Sequence, residues 1–318
     1  MTQPPPSDAP TEIAVSDPNI LYVGRWDRSQ PEVAHGYWTG HYLRTKFKAT
    51  SVSVRLQVGT KLAVSIDGEP IRFVSANAGV TRLHEQPLKP GDHLLQLGSG
   101  GQNYEVAFQG LLLDPGAEIK PVEPKPIIEF IGDSITTMFV GSNFAWAAAG
   151  MLDCDLTQIS FSGVALTTGY GCLADKVGQD TQYFCLKNYN HLNESPQIPW
   201  NFSYKPKIVV ILLGQNDQCG NTPPATFTDT YIRFVRKIRA KFPDATFVIM
   251  RTFGGPYEKE IAAAAAALRQ RDPKVHYADT TGWLADKDFV DGIHPNASGH
   301  LKAARKLANA LAPVLKVN

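Results

Sequence analysis

The chain has 318 residues, of which 43% are hydrophobic and 19% are charged, and its formal net charge is +1. This length exceeds that of a typical single domain, so two domains are expected. The near-zero charge gives no electrostatic reason to expect nucleic acid or an anionic membrane as a partner. No apolar run is long enough for a membrane-spanning helix, so we expect no membrane partner.

The first third of the chain predicts a disordered tail followed by an all-β domain. Residues 1–18 are Pro-rich and polar without a period, which is typical of a disordered tail. Residues 19–116 contain short segments with alternating apolar residues, such as 51–58, and Gly, Pro and Asp separate these segments. This pattern predicts a β-sandwich of the jelly-roll type. Prolines concentrated before residue 127 then predict a stiff linker at 117–126.

Residues 127–318 alternate between apolar strands and helices, which predicts a doubly wound parallel α/β domain. The predicted strands are 127–131, 156–161, 207–213, 246–250 and 275–278. The predicted helices lie near 142–152, 226–242 and 258–271, and a last one begins at about 297. A long insertion at 169–206 has no clear period, and we expect it to form a wall or lid of a site.

Cysteines and glycosylation sequons bear on the cellular compartment. Four cysteines, at positions 154, 172, 185 and 219, lack the paired spacing of a zinc site, so no metal is expected. Their even number allows one or two disulfides, and a Cys172–Cys185 bond would close a loop. Sequons begin at Asn193, Asn201 and Asn296. Together these features favour a secreted glycoprotein over an intracellular enzyme with buried thiols.

Four short polar segments follow predicted strands or precede the last predicted helix. They are Gly132-Asp133-Ser134, Ser162-Gly163, Gly214-Gln215-Asn216-Asp217 and Asp291-Gly292-Ile293-His294. Each alone is compatible with an ordinary turn or helix cap. Because the carboxyl ends of parallel strands meet at one edge of a sheet, we expect the four segments to converge there.

The residue types in these segments match the needs of acyl transfer. A serine hydroxyl becomes a useful nucleophile when a base removes its proton, and His294 is the candidate base for Ser134. Asp291 can orient the imidazole and stabilise its protonated form. The backbone N–H groups of Ser134 and Gly163 and the side-chain amide of Asn216 are candidate oxyanion-hole donors. Asp133 and Asp217 are expected to hold loops rather than to act in catalysis.

The serine segment lacks the G-x-S-x-G pattern of α/β-hydrolases. The four segments instead resemble, in order, the motif blocks of the SGNH (GDSL-type) hydrolases. Upstream, Val23-Gly24-Arg25-Trp26 and Tyr37-Trp38-Thr39-Gly40 are similar to the opening of the family-2 carbohydrate esterases. The resemblance implies an SGNH hydrolase domain at 127–318 behind the jelly roll, with no metal or organic cofactor. Asp291 has the general superfamily spacing, so we expect a full triad.

The resemblance further implies a serine esterase that removes O-acetyl groups from xylan- or glucomannan-type carbohydrate through an acetyl-serine intermediate. The partner would be an acetylated polysaccharide or oligosaccharide, and we expect the enzyme to act as a monomer. Trp200 and Trp283 are candidates for stacking on the sugar. Two alternatives stay open: an SGNH lipase or thioesterase for longer acyl esters, and a non-catalytic carbohydrate-binding protein. The Asn-, Tyr- and Gln-rich insertion favours a polar substrate.

Overall fold

The structure, a computed structural model, describes residues 9–316. The chain divides into two compact units, Met1–Pro124 and Lys125–Asn318. The first unit is an antiparallel β-sandwich and the second has a parallel sheet with helices. This confirms the predicted fold class. Within the described residues, no helix is long and apolar enough to cross a membrane.

Two antiparallel sheets form the first unit. Its strands are β1 (Thr11–Ile13), β2 (Leu21–Val23), β3 (Trp26–Gln30), β4 (Val33–Gly36), β5 (Tyr42–Lys48), β6 (Val52–Leu56), β7 (Thr60–Ile66), β8 (Arg72–Ala76), β9 (Gly79–Arg82), β10 (Asp92–Ser99), β11 (Val106–Leu113) and β12 (Glu118–Lys120). One sheet has the order β3-β4-β11-β6-β9 with β1 paired to β11, and the other has β12-β5-β10-β7-β8 with β2 paired to β5. Alternate residues face inward, so Val52, Val54 and Leu56 lie in the core between the sheets.

Two short strands lie in segments that the sequence predicted to be irregular. The prediction of a disordered tail is wrong for residues 11–13, because β1 pairs with β11 and Ile13 and Val15 are buried in the sandwich core. Positions 1–8 of that predicted tail lie outside the described residues. The strand β12 occupies part of the predicted linker and pairs with β5. Both strands were missed because the prolines next to them indicated irregular structure, although neither strand itself contains a proline.

The second unit is built on a five-stranded parallel sheet. Its strands are β13 (Ile127–Gly132), β14 (Asp155–Ser160), β15 (Ile208–Leu212), β16 (Thr246–Met250) and β17 (Val275–Ala278). Its helices are α1 (Ser134–Thr137), α2 (Phe144–Met151), α3 (Gln179–Gln182), α4 (Gln215–Cys219), α5 (Pro224–Lys241), α6 (Glu258–Arg269) and α7 (Ala297–Lys316). The strands β14, β15 and β16 are buried throughout, as expected for a sheet that helices cover on both faces.

The strand order β14-β13-β15-β16-β17 creates a topological switch between β13 and β15. Gly132 is in register with Ser160 of β14 and with Leu212 of β15, so the three strands end at the same level. The segments that follow these strands therefore start side by side. In open α/β sheets a crevice for ligands forms at this position.

The insertion after β14 is tied to the sheet by buried polar side chains. The Gln179 side-chain amide donates to the carbonyls of Gly132 and Ile159, both at 3.2 Å. Buried Glu129 accepts hydrogen bonds from the hydroxyls of Tyr183 and Tyr204. Because these contacts use strand residues, the insertion is fixed to the sheet that carries the site.

The disulfide pairing differs from the one considered from the sequence. Cys172 bonds to Cys219, with a Cα–Cα distance of 5.7 Å, so the Cys172–Cys185 prediction is wrong. The other two cysteines, Cys154 and Cys185, are thiols. Cys219 ends the helix α4, and tertiary folding brings it close to the start of the insertion despite a separation of 47 positions in sequence.

Candidate active site

Ser134 begins the short helix α1 directly after β13. Asp133 is the N-cap of this helix, and its side-chain Oδ1 accepts the Ile135 N–H at 3.0 Å. A Cβ atom at Gly132 would lie 2.1 Å from the Thr136 Oγ1, so only glycine lets the helix turn back so closely over the strand end. The resulting turn leaves Ser134 8% exposed at the carboxyl edge of the sheet.

The structure brings Ser134, His294 and Asp291 into one hydrogen-bonded chain. The Ser134 Oγ lies 2.8 Å from the His294 Nε2. The His294 Nδ1 lies 2.7 Å from the Asp291 Oδ2. Residues separated by 160 positions in sequence therefore meet in the geometry that the sequence predicted. This arrangement can move a proton from the hydroxyl to the imidazole while a carboxylate holds the second ring nitrogen.

A tight turn holds Asp291 against the histidine. The Asp291 Oδ1 accepts the backbone N–H groups of His294 at 2.8 Å and of Ile293 at 3.0 Å. Gly292 within this turn has a φ of 82°, a conformation that favours glycine. The hydrogen bonds from the backbone and the ring of His294 hold the pKa of Asp291 well below its usual range. Asp291 is therefore ionised at neutral pH and can stabilise a protonated imidazole.

The three predicted oxyanion-hole donors differ in the hydrogen bonds that they already make. The Ser134 N–H is the first in its helix, and such groups lack an intrahelical acceptor. The Gly163 N–H donates to no acceptor in the described part of the chain, and Gly163 has a φ of 83°. The Asn216 Nδ2 donates to the Val164 carbonyl at 3.0 Å and lies 3.4 Å from the Asp133 Oδ2. The second contact is long, so that hydrogen is weakly held.

Two buried carboxyl groups support the loops around the serine. Asp217 accepts the backbone N–H of Leu166 at 2.7 Å and of Thr167 at 3.1 Å, which fixes the loop that follows Gly163. Burial raises the pKa of Asp217 above its usual value. Burial also raises the pKa of Asp133 to about 7. Both residues hold the loops that carry the candidate donors, as the sequence predicted.

The two tryptophans proposed for sugar contact do not share one environment. Trp200 is only 5% exposed, and its ring packs against those of Phe202 and Tyr204. Its face is therefore not available to a sugar, and the prediction for Trp200 is wrong because an aromatic cluster of the insertion buries it. Trp283 is partly exposed, and its backbone N–H donates to the Thr280 carbonyl. Its contact with sugar stays a prediction.

Sequence reasoning missed three residues beside the site. Asn143 is fully buried and caps α2, and its amide also donates to the Thr136 and Met138 carbonyls. An asparagine ahead of a helix was the available signal for such a cap. His300 is 2% exposed, and burial lowers its pKa to about 4. Nothing in the sequence around Phe139 indicated that this residue lies beside the site. Among residues 9–316, no group of three or more His, Cys, Asp or Glu could hold a metal ion.

Comparison with known sequences matches both units of the chain. The GDSL-like Lipase/Acylhydrolase family matches residues 130–302, which is more than half of the chain. The carbohydrate esterase 2 N-terminal domain matches residues 22–122. The cellulase/esterase CelE of Acetivibrio thermocellus is 30% identical over 256 residues, covering 72% of this chain and 30% of that protein. The chain thus spans less than a third of CelE.

Other relatives match over most of their length. An acetylxylan esterase / glucomannan deacetylase of Cellvibrio japonicus is 24% identical over 336 residues, covering 95% of this chain and 91% of that protein. Among solved structures, a family two carbohydrate esterase from Clostridium thermocellum in complex with cellohexaose is similar, with a TM-score of 0.79 at 25% identity. That match covers 93% of this chain and 99% of the solved chain.

Proposed function

The chain belongs to the GDSL-like lipase/acylhydrolase family and carries a carbohydrate esterase 2 N-terminal domain, and from this premise we propose that it is a serine esterase that removes O-acetyl groups from plant cell-wall carbohydrate. It is a carboxylic ester hydrolase, with acetylated xylan or glucomannan as the substrate class. Relatives named acetylxylan esterase / glucomannan deacetylase, and a similar structure in complex with cellohexaose, support a carbohydrate substrate.

The hydrogen-bonded chain from Ser134 through His294 to Asp291 carries this proposal. His294 accepts the Ser134 proton while the Ser134 Oγ attacks the acetyl carbonyl. The N–H groups of Ser134 and Gly163 and the Asn216 amide stabilise the negative oxygen that forms. His294 then donates its proton to the departing sugar oxygen, which leaves acetyl-Ser134. A water molecule, deprotonated by His294, releases acetate.

Substitution of the nucleophile tests the mechanism. We expect Ser134→Ala to lower kcat for acetate release from acetylated xylan by about 10⁴-fold or more. Ser75→Ala, which alters an exposed serine of the sandwich outside the sequons, is the matched control and should keep wild-type activity. Acetate release is measured directly from acetylated xylan, glucomannan and ethyl acetate. Turnover at the wild-type rate in Ser134→Ala would refute the assignment of the nucleophile.

A comparison of acyl chain lengths tests the substrate class. Acetyl esters should be turned over faster than octanoyl esters of the same alcohol, because the proposed substrate group is acetyl. A preference for octanoyl esters would instead indicate a lipase or thioesterase. Binding of acetylated xylan without any acetate release would indicate a carbohydrate-binding protein.

We also propose that the protein is secreted, which the Cys172–Cys219 disulfide supports because disulfides persist in oxidising compartments. Asn193 and Asn201 are exposed and are the candidate glycan acceptors. The Asn296 side chain is engaged at the start of α7, where it accepts the Gly299 N–H and donates to the Lys287 carbonyl. Asn296 is therefore the least suited of the three to carry a glycan.

A further inference from the structure

Phe139 combines an unusual backbone conformation with an exposed aromatic ring. It follows the helix α1, five positions after Ser134, and has a φ of 57°. Bulky L residues rarely adopt this left-handed region, and such strain persists only where the surrounding structure enforces it. The Phe139 ring is 49% exposed, so burial of the side chain does not account for the strained conformation. Strained residues of this kind cluster at functional sites.

A buried asparagine holds the strained segment in place. The Phe139 carbonyl accepts the N–H groups of Ser142 and Asn143, both at 2.9 Å. The Asn143 amide donates to the Met138 carbonyl at 2.8 Å and to the Thr136 carbonyl at 2.9 Å. Asn143 is fully buried, so these bonds are shielded from water. Hydrogen bonds therefore fix the backbone on both sides of Phe139, and its ring is presented from a rigid loop.

The ring of Phe139 stands on the histidine side of the site. It packs edge-on against the ring of His300, with 5.6 Å between the ring centroids. His300 in turn lies parallel to Phe144 at 6.2 Å and accepts the Phe144 N–H at 3.2 Å. The His300 backbone N–H donates to the Asn296 carbonyl at 2.8 Å, two positions after His294 in sequence. Burial, and then positive charge on His294, lower the pKa of His300. His300 is therefore a neutral ring that supports Phe139 beside the candidate base.

We propose that Phe139 is the platform on which the sugar ring that carries the ester stacks. This inference rests on the proposed function. One face of a pyranose is lined by C–H groups, and a rigid, exposed aromatic ring offers a flat apolar surface to it at low entropic cost. The neighbouring Met138 is 37% exposed and extends the apolar surface. A ring open to solvent suits a polymer that lies across the site better than an enclosed acyl chain.

The experiment compares substrates with and without a sugar ring. For Phe139→Ala we expect KM for acetylated xylan to rise about tenfold, the upper range of one aromatic contact. The rise should be smaller for ethyl acetate, which has no ring to stack. Phe139→Tyr should retain the wild-type KM because it keeps the ring, whereas Phe139→Leu should behave like Phe139→Ala. The matched control is Phe73→Ala, because Phe73 of the sandwich is 48% exposed and should not affect either substrate.

The outcomes separate this inference from the proposed function. If the wild type releases acetate from xylan but Phe139→Ala and Phe139→Leu keep its KM, the stacking platform is refuted and the esterase stands. An equal loss on xylan and ethyl acetate would also refute the platform, because Phe139 would then support the catalytic loop rather than the sugar. A wild type that releases no acetate from any acetylated polysaccharide would overturn the proposed function itself. Circular dichroism of each variant identifies a folding defect. If Phe139→Ala does not fold, the comparison of KM for acetylated xylan between Phe139→Leu and Phe139→Tyr decides the question.

Discussion

Asp133, next to the candidate nucleophile, is a buried carboxyl group whose pKa is raised. It is 1% exposed and accepts the Ile135 N–H at 3.0 Å. Burial raises its pKa to about 7, positive charge on His294 opposes that rise, and negative charge on Asp217 adds to it. The carboxyl group therefore keeps its proton at pH values where an exposed aspartate has lost it.

Asp133 should make the stability of the protein depend on pH. The unfolded chain loses this proton near the ordinary aspartate pKa of about 4, whereas the folded chain loses it near 7. Its contribution is fully present below the ordinary pKa and is lost as the pH rises through about 7. We expect the free energy of unfolding of the wild type, relative to Asp133→Asn, to fall by about 1–2 kcal/mol between pH 5 and pH 7. Chemical denaturation at each pH measures the difference.

Asp279→Asn is the control for this experiment because hydrogen bonds from Thr281 shift the pKa of Asp279 in the opposite direction. A lowered pKa contributes stability above the ordinary value, and the contribution is lost only as the pH falls below about 4. The difference between the wild type and Asp279→Asn should therefore stay constant from about pH 5 to pH 7. A constant difference for Asp133→Asn as well would show that Asp133 is ionised in the folded protein.

Asp291 should affect turnover less than Ser134 does. Its side chain is 51% exposed, so water can partly replace it in stabilising the protonated His294. We expect Asp291→Ala to lower kcat on acetylated xylan by about 10²-fold, the lower range for a group that assists proton transfer. Asp286→Ala, an exposed aspartate that precedes the same loop, is the control. An unchanged kcat in Asp291→Ala would remove this residue from the mechanism.

Among the secondary-structure elements, the helix α4 has a covalent link to the insertion. The Cys172–Cys219 bond joins its last residue to the insertion, and the Cys172 Sγ lies 3.7 Å from the Asn216 Oδ1. The disulfide therefore lies directly beside a candidate oxyanion donor. It restricts the unfolded chain over 47 positions and also limits the motion of the helix that carries Asn216.

Removal of this disulfide should cost stability. We expect the double substitution Cys172→Ser and Cys219→Ser to lower the free energy of unfolding by about 2–4 kcal/mol, the usual range for a closed loop of this size. Differential scanning calorimetry of the oxidised proteins measures the loss. Cys154→Ser, which alters a thiol outside the disulfide, should have a much smaller effect. Equal stability of the double variant and the wild type would contradict the role of the bond.

The elements that the sequence predicted well are those whose pattern depends on burial alone. The strand β15 is a continuous apolar run and β16 is apolar after its first residue, and β16 was predicted with the bounds that the structure has. The strands β1, β9 and β12 were missed because they have three or four residues and are partly exposed. Backbone pairing with longer neighbours forms them, and no local pattern records that pairing.

The same distinction separates the site residues that the sequence predicted from those that it did not. Ser134, Gly163 and Asn216 could be placed because each follows a buried parallel strand, whose end the sequence marks. Trp200 was misplaced because its burial depends on Phe202 and other aromatic residues of the insertion, which has no period to interpret. Phe139 could not be found at all, since its strained backbone depends on a hydrogen-bond network that forms only in the folded chain.

At the scale of the whole molecule, charge is nearly balanced. The chain has 31 Lys and Arg against 30 Asp and Glu, so its formal net charge is +1. A protein of this kind has little long-range field with which to attract or repel a charged polymer. Its encounter with a polysaccharide should therefore depend on contacts at the site rather than on electrostatic steering.

This balance predicts a weak dependence of catalysis on salt. We expect kcat/KM on neutral acetylated glucomannan to change less than about twofold between about 10 mM and 0.3 M NaCl, because salt screens only charge interactions. Anionic acetylated pectin should respond to salt to a similar extent, since the net charge offers it no attraction. Acetate release across a salt series measures both. A steep loss of activity with salt on pectin alone would contradict this prediction, and it would indicate that basic residues close to the site bind the polymer despite the balanced total charge.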